Sequence, residues 1–313
     1  MDLVLTAVRA VHFAACIVLF GEYVYAYLVS PDGRPRPRFV AVAAWSLGIA
    51  VATAAAWLAI EAGHMSGERI AQALGDGTWR IVLGQTLFGH TWLVRAALAL
   101  VLALSLMAVA REDRARMTVS PTLIRWGGRT AQAIGAGCAA LLLVSLSCAG
   151  HAAGEGARKG LAHICVDGFH LLAAGAWLGA LLPLAAVLRE SSPGSLARAS
   201  LAVRRFSLLG MACVGVLVLS GLVNTSFAVH ELSQLFDSRY GNELLVKLSL
   251  VAAIVALAAV NRVRLTPRLE SGDARFAAAA QRSLLHNALA EVALGFAIVA
   301  IVGNLGITMP PMH

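Results

Sequence analysis

Long apolar runs, separated by short polar stretches, fill this chain from end to end. Eight of them reach the roughly 20 residues needed to cross a bilayer, at 4–29, 39–60, 90–110, 130–149, 162–188, 206–228, 243–262 and 284–305. Strands of a membrane barrel would alternate apolar and polar residues over shorter segments, and these runs do not. Lipid cannot satisfy an open backbone, so each run is predicted to be a helix. The expected fold class is an all-α integral membrane protein, an eight-transmembrane-helix bundle forming one membrane domain over 1–313. Residues 1–188 would supply the first five spans and 200–313 the last three.

Composition agrees with that pattern. Of 313 residues, 59% are hydrophobic and 13% charged, whereas a soluble domain is nearer a quarter charged. The formal net charge of +8 would suggest nucleic acid if the basic residues formed one patch. They do not. The loops after the first, third, fifth and seventh runs hold 17 of the 25 Lys and Arg, among them Arg34, Arg36 and Arg38 in the first and Arg262, Arg264 and Arg268 in the last. By the positive-inside rule these loops are cytoplasmic and both termini periplasmic. The lipid bilayer is then the expected partner, and no nucleic acid is. The start, "MDLVLTAVRAVHF", puts Asp2 where a leader has basic residues, so the first span is expected to be retained.

Polar residues inside the runs change the picture further. On that topology eight of the nine histidines fall in the outer half: His12, His64, His90, His151, His163, His170, His230 and His313, with His286 alone near the cytoplasmic face. In "HICVDGFHLLAAGAWLG", His163, Asp167 and His170 lie within about 40° on a helix, with Trp177 continuing the stripe. His12 and His170 are each about eight residues, or ~12 Å, from the outer surface, so they can meet across the bundle. Ionisable groups in a span cost about 2.5–3.5 kcal/mol each and usually face a cavity or a partner. Imidazole and carboxylate suit Cu(II) or Zn(II), while the thioethers of Met65, Met309 and Met312, beside His64 and His313, favour Cu(I) and tilt the choice toward copper. The alternative is plain packing: single histidines as interhelical hydrogen-bonding groups, and Asp167 paired with Arg9 or Arg95. In the inner half, Glu22 and Glu291 are candidates for an onward ion or proton path, or for helix-to-helix hydrogen bonds. "GAWLG" reads as a close-packing motif. The five cysteines form no C-x-x-C pair and read as buried apolar groups, with a disulfide or a Cu(I) contact left open for Cys148 and Cys165 near the outer face.

Several stretches, in this order, resemble the CopD family of bacterial copper-resistance inner-membrane proteins: "RAVHFAACIVLFG", "TLFGHTWLVR", "AGHA", "VDGFHLLAAGAWLGAL", "RRFSLLGMACVGVLVLSGLVN", "RYGNELLVKLSLVAAIVALAAVNR", "RSLLHNALAEVALGFAIVAI" and a closing "PP". The resemblance implies copper homeostasis at the bacterial inner membrane, beside a periplasmic copper-binding partner of the CopC type. It implies that His12, His151, Asp167 and His170 carry the polar signature, with His163 added and Glu291 as the acidic residue of the last helix. His64, Met65, His90, Met309, Met312 and His313 complete the candidate metal-binding set. No G-x-x-x-x-G-K-[ST] stretch is present, so any transport is expected to run on gradients or partner handoff rather than ATP; a binding or transport role is expected rather than an enzymatic one. A rival expectation is a b-type haem held between His12 and His170, in an electron carrier acting on copper or quinol.

Overall fold

The computed structural model describes residues 2–31, 38–67, 70–115, 125–149, 157–228, 233–271 and 273–306. Eight helices among them are long and apolar enough to cross a membrane. They are α1 (Asp2–Val24), α2 (Phe39–Ser66), α3 (Leu87–Ala115), α4 (Arg125–Val144), α5 (Ala157–Glu190), α6 (Leu196–Ala228), α7 (Arg239–Val260) and α8 (Ala274–Leu305). Each predicted run has its helix. Single π-helical turns prolong α1 over Tyr25–Val29 and α7 over Asn261–Leu265.

The helix ends depart from the apolar runs in one direction. The helices are longer: α6 begins at Leu196 and α8 at Ala274. The added turns carry Arg198, Arg204 and Arg205 in α6, and Arg275 and Arg282 in α8. Arginine is a good helix former, and its long stem lies along the helix while the guanidinium reaches water. Hydropathy therefore registers only the lipid-buried part. The first turn of α8 is capped by Asp273, whose carboxylate accepts from the Arg275 backbone N–H at 2.8 Å. Asp273→Ala should cost about 1 kcal/mol, visible as faster amide exchange confined to that turn; unchanged exchange would show the cap to be idle.

His64 and Met65, expected in a loop, lie instead in the last turn of α2. Gly67 closes that helix with φ +70°, its N–H donating to the His64 carbonyl at 3.4 Å. Only glycine takes this left-handed backbone without strain, so the helix runs on until it meets one. Two short helices, Ile70–Gly75 and Thr78–Gln85, then cover the α2–α3 end of the bundle.

Helix α1 is central, packing on α2, α4, α5 and α8, and α5 packs in turn on α6 and α8. The α1–α5 crossing is backbone on backbone. A Cβ placed on Gly21 would overlap the Gly179 main chain, and one on Gly179 would overlap the Ile17 carbonyl. Gly175, one turn earlier, takes Phe20 and Leu143 against its own open face. The "GAWLG" stretch is thus a packing surface, as its spacing suggested.

Candidate functional site

Two buried polar centres flank the α1–α5 crossing, and each contains a histidine singled out in the sequence. The first is built round His12, which is 1% exposed. Its ring lies edge-on to Trp57 of α2 and Trp92 of α3, centroids 5.9 Å away in both cases. Arg9 stacks on Trp57 and Arg95 on Trp92, each guanidinium carbon 4.6 Å from a ring centroid. The Thr53 hydroxyl donates to the Ile49 carbonyl at 2.7 Å, so it can only accept from His12 Nδ1, 2.8 Å away. The proton of the neutral ring is thereby fixed on Nδ1. The lone pair is left on Nε2, where it accepts from Arg95. Both ring nitrogens of His12 are engaged by protein.

The second centre lies on the face of α5 that carries His163, Asp167 and His170. The Ser220 hydroxyl of α6 donates to the Val216 carbonyl at 2.6 Å and so accepts from His170 Nδ1 at 2.9 Å. The same logic fixes the His170 proton on Nδ1 and leaves the Nε2 lone pair outward. No described residue engages that lone pair. A turn along, the Asn224 amide of α6 donates to Asp167 at 3.2 Å. Its own Oδ1 is buried without a hydrogen-bond donor among the described residues. Lys247 of α7 and His163, four residues before Asp167, complete the electrostatic surroundings of this carboxyl.

The structure redistributes several expected pairings. Asp167 faces Lys247 rather than Arg9 or Arg95, which are occupied in the His12 centre. The pairing of His12 with His170 that a b-type haem needs is not found: one ring is enclosed by α1, α2 and α3, the other turned to α6. Among the described residues no three His, Cys, Asp or Glu side chains are grouped closely enough to hold a metal ion. His90 is exposed and its Nε2 donates to the Gly84 carbonyl at 3.0 Å. His151, His230, Met309, Met312 and His313 lie outside the described residues. All five cysteines are free thiols; Cys16, Cys138 and Cys213 are buried as expected, but Cys148 is half-buried and Cys165 is exposed, and the two are not paired. Thr53, Ser220 and Asn224, which no spacing or motif singles out, decide which imidazole is engaged. Lys247 carried a signal that received no role, a lone cation within a span.

At mid-span, Glu291 of α8 is 1% exposed. One oxygen accepts from the Asn261 amide at 2.7 Å, and Asn287 donates to Asn261 Oδ1 at 2.7 Å. The other oxygen has no hydrogen-bond partner among the described residues. Glu22 of α1 is also buried.

These features define a helical, multi-pass membrane protein with ionisable centres in both halves of its bundle. Comparison with known proteins specifies it further. Residues 1–164 match the family described as copper resistance protein D-like, N-terminal domain, and residues 200–305 the family described as copper resistance protein D. Similar proteins include copper resistance protein D of Pseudomonas syringae pv. tomato, 29% identical over 238 residues that cover 74% of this chain and 72% of that one. Inner membrane protein YebZ of Escherichia coli (strain K12) is 30% identical over 280 residues, 87% of either chain. Copper transport protein CutJ of Bacillus subtilis (strain 168) is 30% identical over 207 residues, 65% of this chain but only 35% of that longer protein. The chain belongs to the copper resistance protein D family. No solved structure matches it.

Proposed function

We propose that this is a copper-binding protein of the inner membrane that accepts copper on its periplasmic side and moves it into or across the bilayer. The supporting observation is the outward lone pair of His170 beside Asp167. Its ring is held by Ser220 through Nδ1, the arrangement typical of a metal-ligating imidazole. The Asp167 carboxylate and the bare Asn224 Oδ1 add oxygen donors, and His163 lies on the outer approach. Copper here is cargo, and a partial ligand set suits cargo because release requires weak binding. The arginine-rich loops support a periplasmic position for this half of α5. A periplasmic donor of the CopC type would hand copper first to groups nearest water: His64, Met65, His90, His151 and the tail residues Met309, Met312 and His313.

Metal analysis of purified protein tests the reading. Wild type equilibrated with copper should bind it stoichiometrically; His170→Ala and His163→Ala should lose it. His12→Ala should keep it, since the His12 lone pair is committed to Arg95. Loss in His12→Ala with retention in His170→Ala would transfer the site to the other centre and refute this one. Copper uptake into proteoliposomes separates transport from binding alone.

A further inference from the structure

Below the Asp167–His170 face, the same side of α5 lines a cavity of about 260 Å³. Its walls come from α5, α6, α7 and α8. Leu188, Val203 and Thr266 stand at the arginine-rich end of the bundle, and Trp177 and Glu291 stand at mid-span. The cavity thus connects the middle of the bundle with one end of it. A single water needs roughly 10–15 Å³ of such space and polar partners to hold it; there is room for several, and Glu291, Asn261, Arg262, Ser207 and Thr266 supply polar groups in otherwise apolar walls.

Glu291 closes the inner end. It is almost wholly buried, and one of its oxygens is unpartnered. A fixed carboxylate there would need a cation, and the groups around it supply none in contact. From α5 come Trp177 and Leu181, and from α6 Ser207 and Met211. From α7 and its π-helical turn come Asn261 and Arg262, and from α8 itself Asn287 and Ala288. Arg262 donates to Ser207 at 2.8 Å. His286 is exposed, its Nδ1 donating to the Arg282 carbonyl at 2.7 Å.

The same surroundings decide what moves here. Arg262 sets a positive charge on the described polar stretch between Glu291 and the arginine-rich end, which disfavours any cation, so the choice between metal and proton rests on the ligands available. Met211 is the single sulfur in the walls, and it is 46% exposed on the outer surface of α6. Soft cargo has no relay of ligands through this cavity. A proton needs none; it passes along water to a carboxylate.

We propose that Glu291 is a proton-exchange site, taking up and releasing one proton at its unpartnered oxygen through water in this cavity. On uptake the Oε2–H bond forms as the adjoining water gives up one proton and takes another relayed from bulk water, so no hydroxide is left behind; on release the relay runs in reverse, with Asn261 holding the other oxygen throughout. Only the identity of what the proton is exchanged against, copper held on the outer part of α5, rests on the function proposed above.

Two copper-free measurements on the whole protein in liposomes test this site. An apolar carbodiimide adds only to a protonated carboxyl. Glu291 is the only acidic side chain after Arg282, so cleavage at Arg282 isolates it on one peptide. That peptide should gain one adduct at acid pH, and the yield should fall as pH rises. Glu291→Gln should give none. In infrared difference spectra between acid and alkaline pH, wild type should show a protonated-carboxyl band that Glu291→Gln lacks. An unlabelled peptide at every pH, or an adduct yield and band indifferent to pH, would overturn the proposal. Neither result bears on copper binding at His170, which the metal analysis tests by itself.

Discussion

Gly179→Leu should leave no folded, monodisperse protein in detergent, whereas Gly48→Ala, in a helix position with open space around it, should be neutral or slightly stabilising. At Gly179 any Cβ enters the Ile17 carbonyl and the Gly21 main chain. Overpacking of a core by a methylene costs about 1–3 kcal/mol when side chains can shift. Here the opposing atoms are backbone, so the helices themselves must separate. In lipid no hydrophobic force draws helices back together, and close packing is most of what holds them. Gly179→Ala should therefore lose about 3 kcal/mol or the upper part of that range, and Gly21→Ala a comparable amount. Thermal midpoints from size-exclusion chromatography of the solubilised variants measure this. A Gly179→Leu protein as stable as wild type would show that α1 and α5 do not cross there.

What the sequence reveals and what it conceals separate along physical lines. Span number and depth are legible because apolar length is set by the bilayer and each helical residue advances a fixed rise. Azimuth is another matter, since nothing in a single chain says which neighbour a helix face will meet. Hence His12 went to α2 and α3, and Asp167 to α6 and α7, where Lys247 stands. The stripe on α5 was correctly read as one face, because spacing within a helix is local. Which imidazole keeps a lone pair for a ligand is not legible there, because that depends on Ser220 and Asn224, ordinary residues of an apolar helix. Helix ends were misjudged wherever arginine or a histidine–methionine pair masked a continuing helix. The stripe's lower part, from Trp177 to Leu181, belongs to the cavity below Asp167. One helix face thus links the candidate copper groups to Glu291.

Arg95 sets the sharpest distinction between charge and geometry in this bundle. It is 4% exposed, donates to the Leu142 carbonyl at 3.0 Å and to Ser145 and His12, and stacks on Trp92. Arg95→Met removes the hydrogen bonds and leaves His12 Nε2 buried and unpaired, a loss of about 1–3 kcal/mol. The lost stacking adds up to about 2 kcal/mol. It also removes a cation whose placement in the span costs about 2.5–3.5 kcal/mol, so the net loss should be only about 1 kcal/mol. Arg95→Lys keeps that cation but replaces a planar fork with a single point of contact. At least one bond to a charged donor then goes, at about 1.5–3 kcal/mol each, with no relief from burial. The expected order of stability is wild type, then Met, then Lys, with Lys lower by about 3 kcal/mol. Unfolding of the three proteins in mixed micelles measures it. Lysine more stable than methionine would mean that the positive charge, and not the shape of the guanidinium, is what this centre requires.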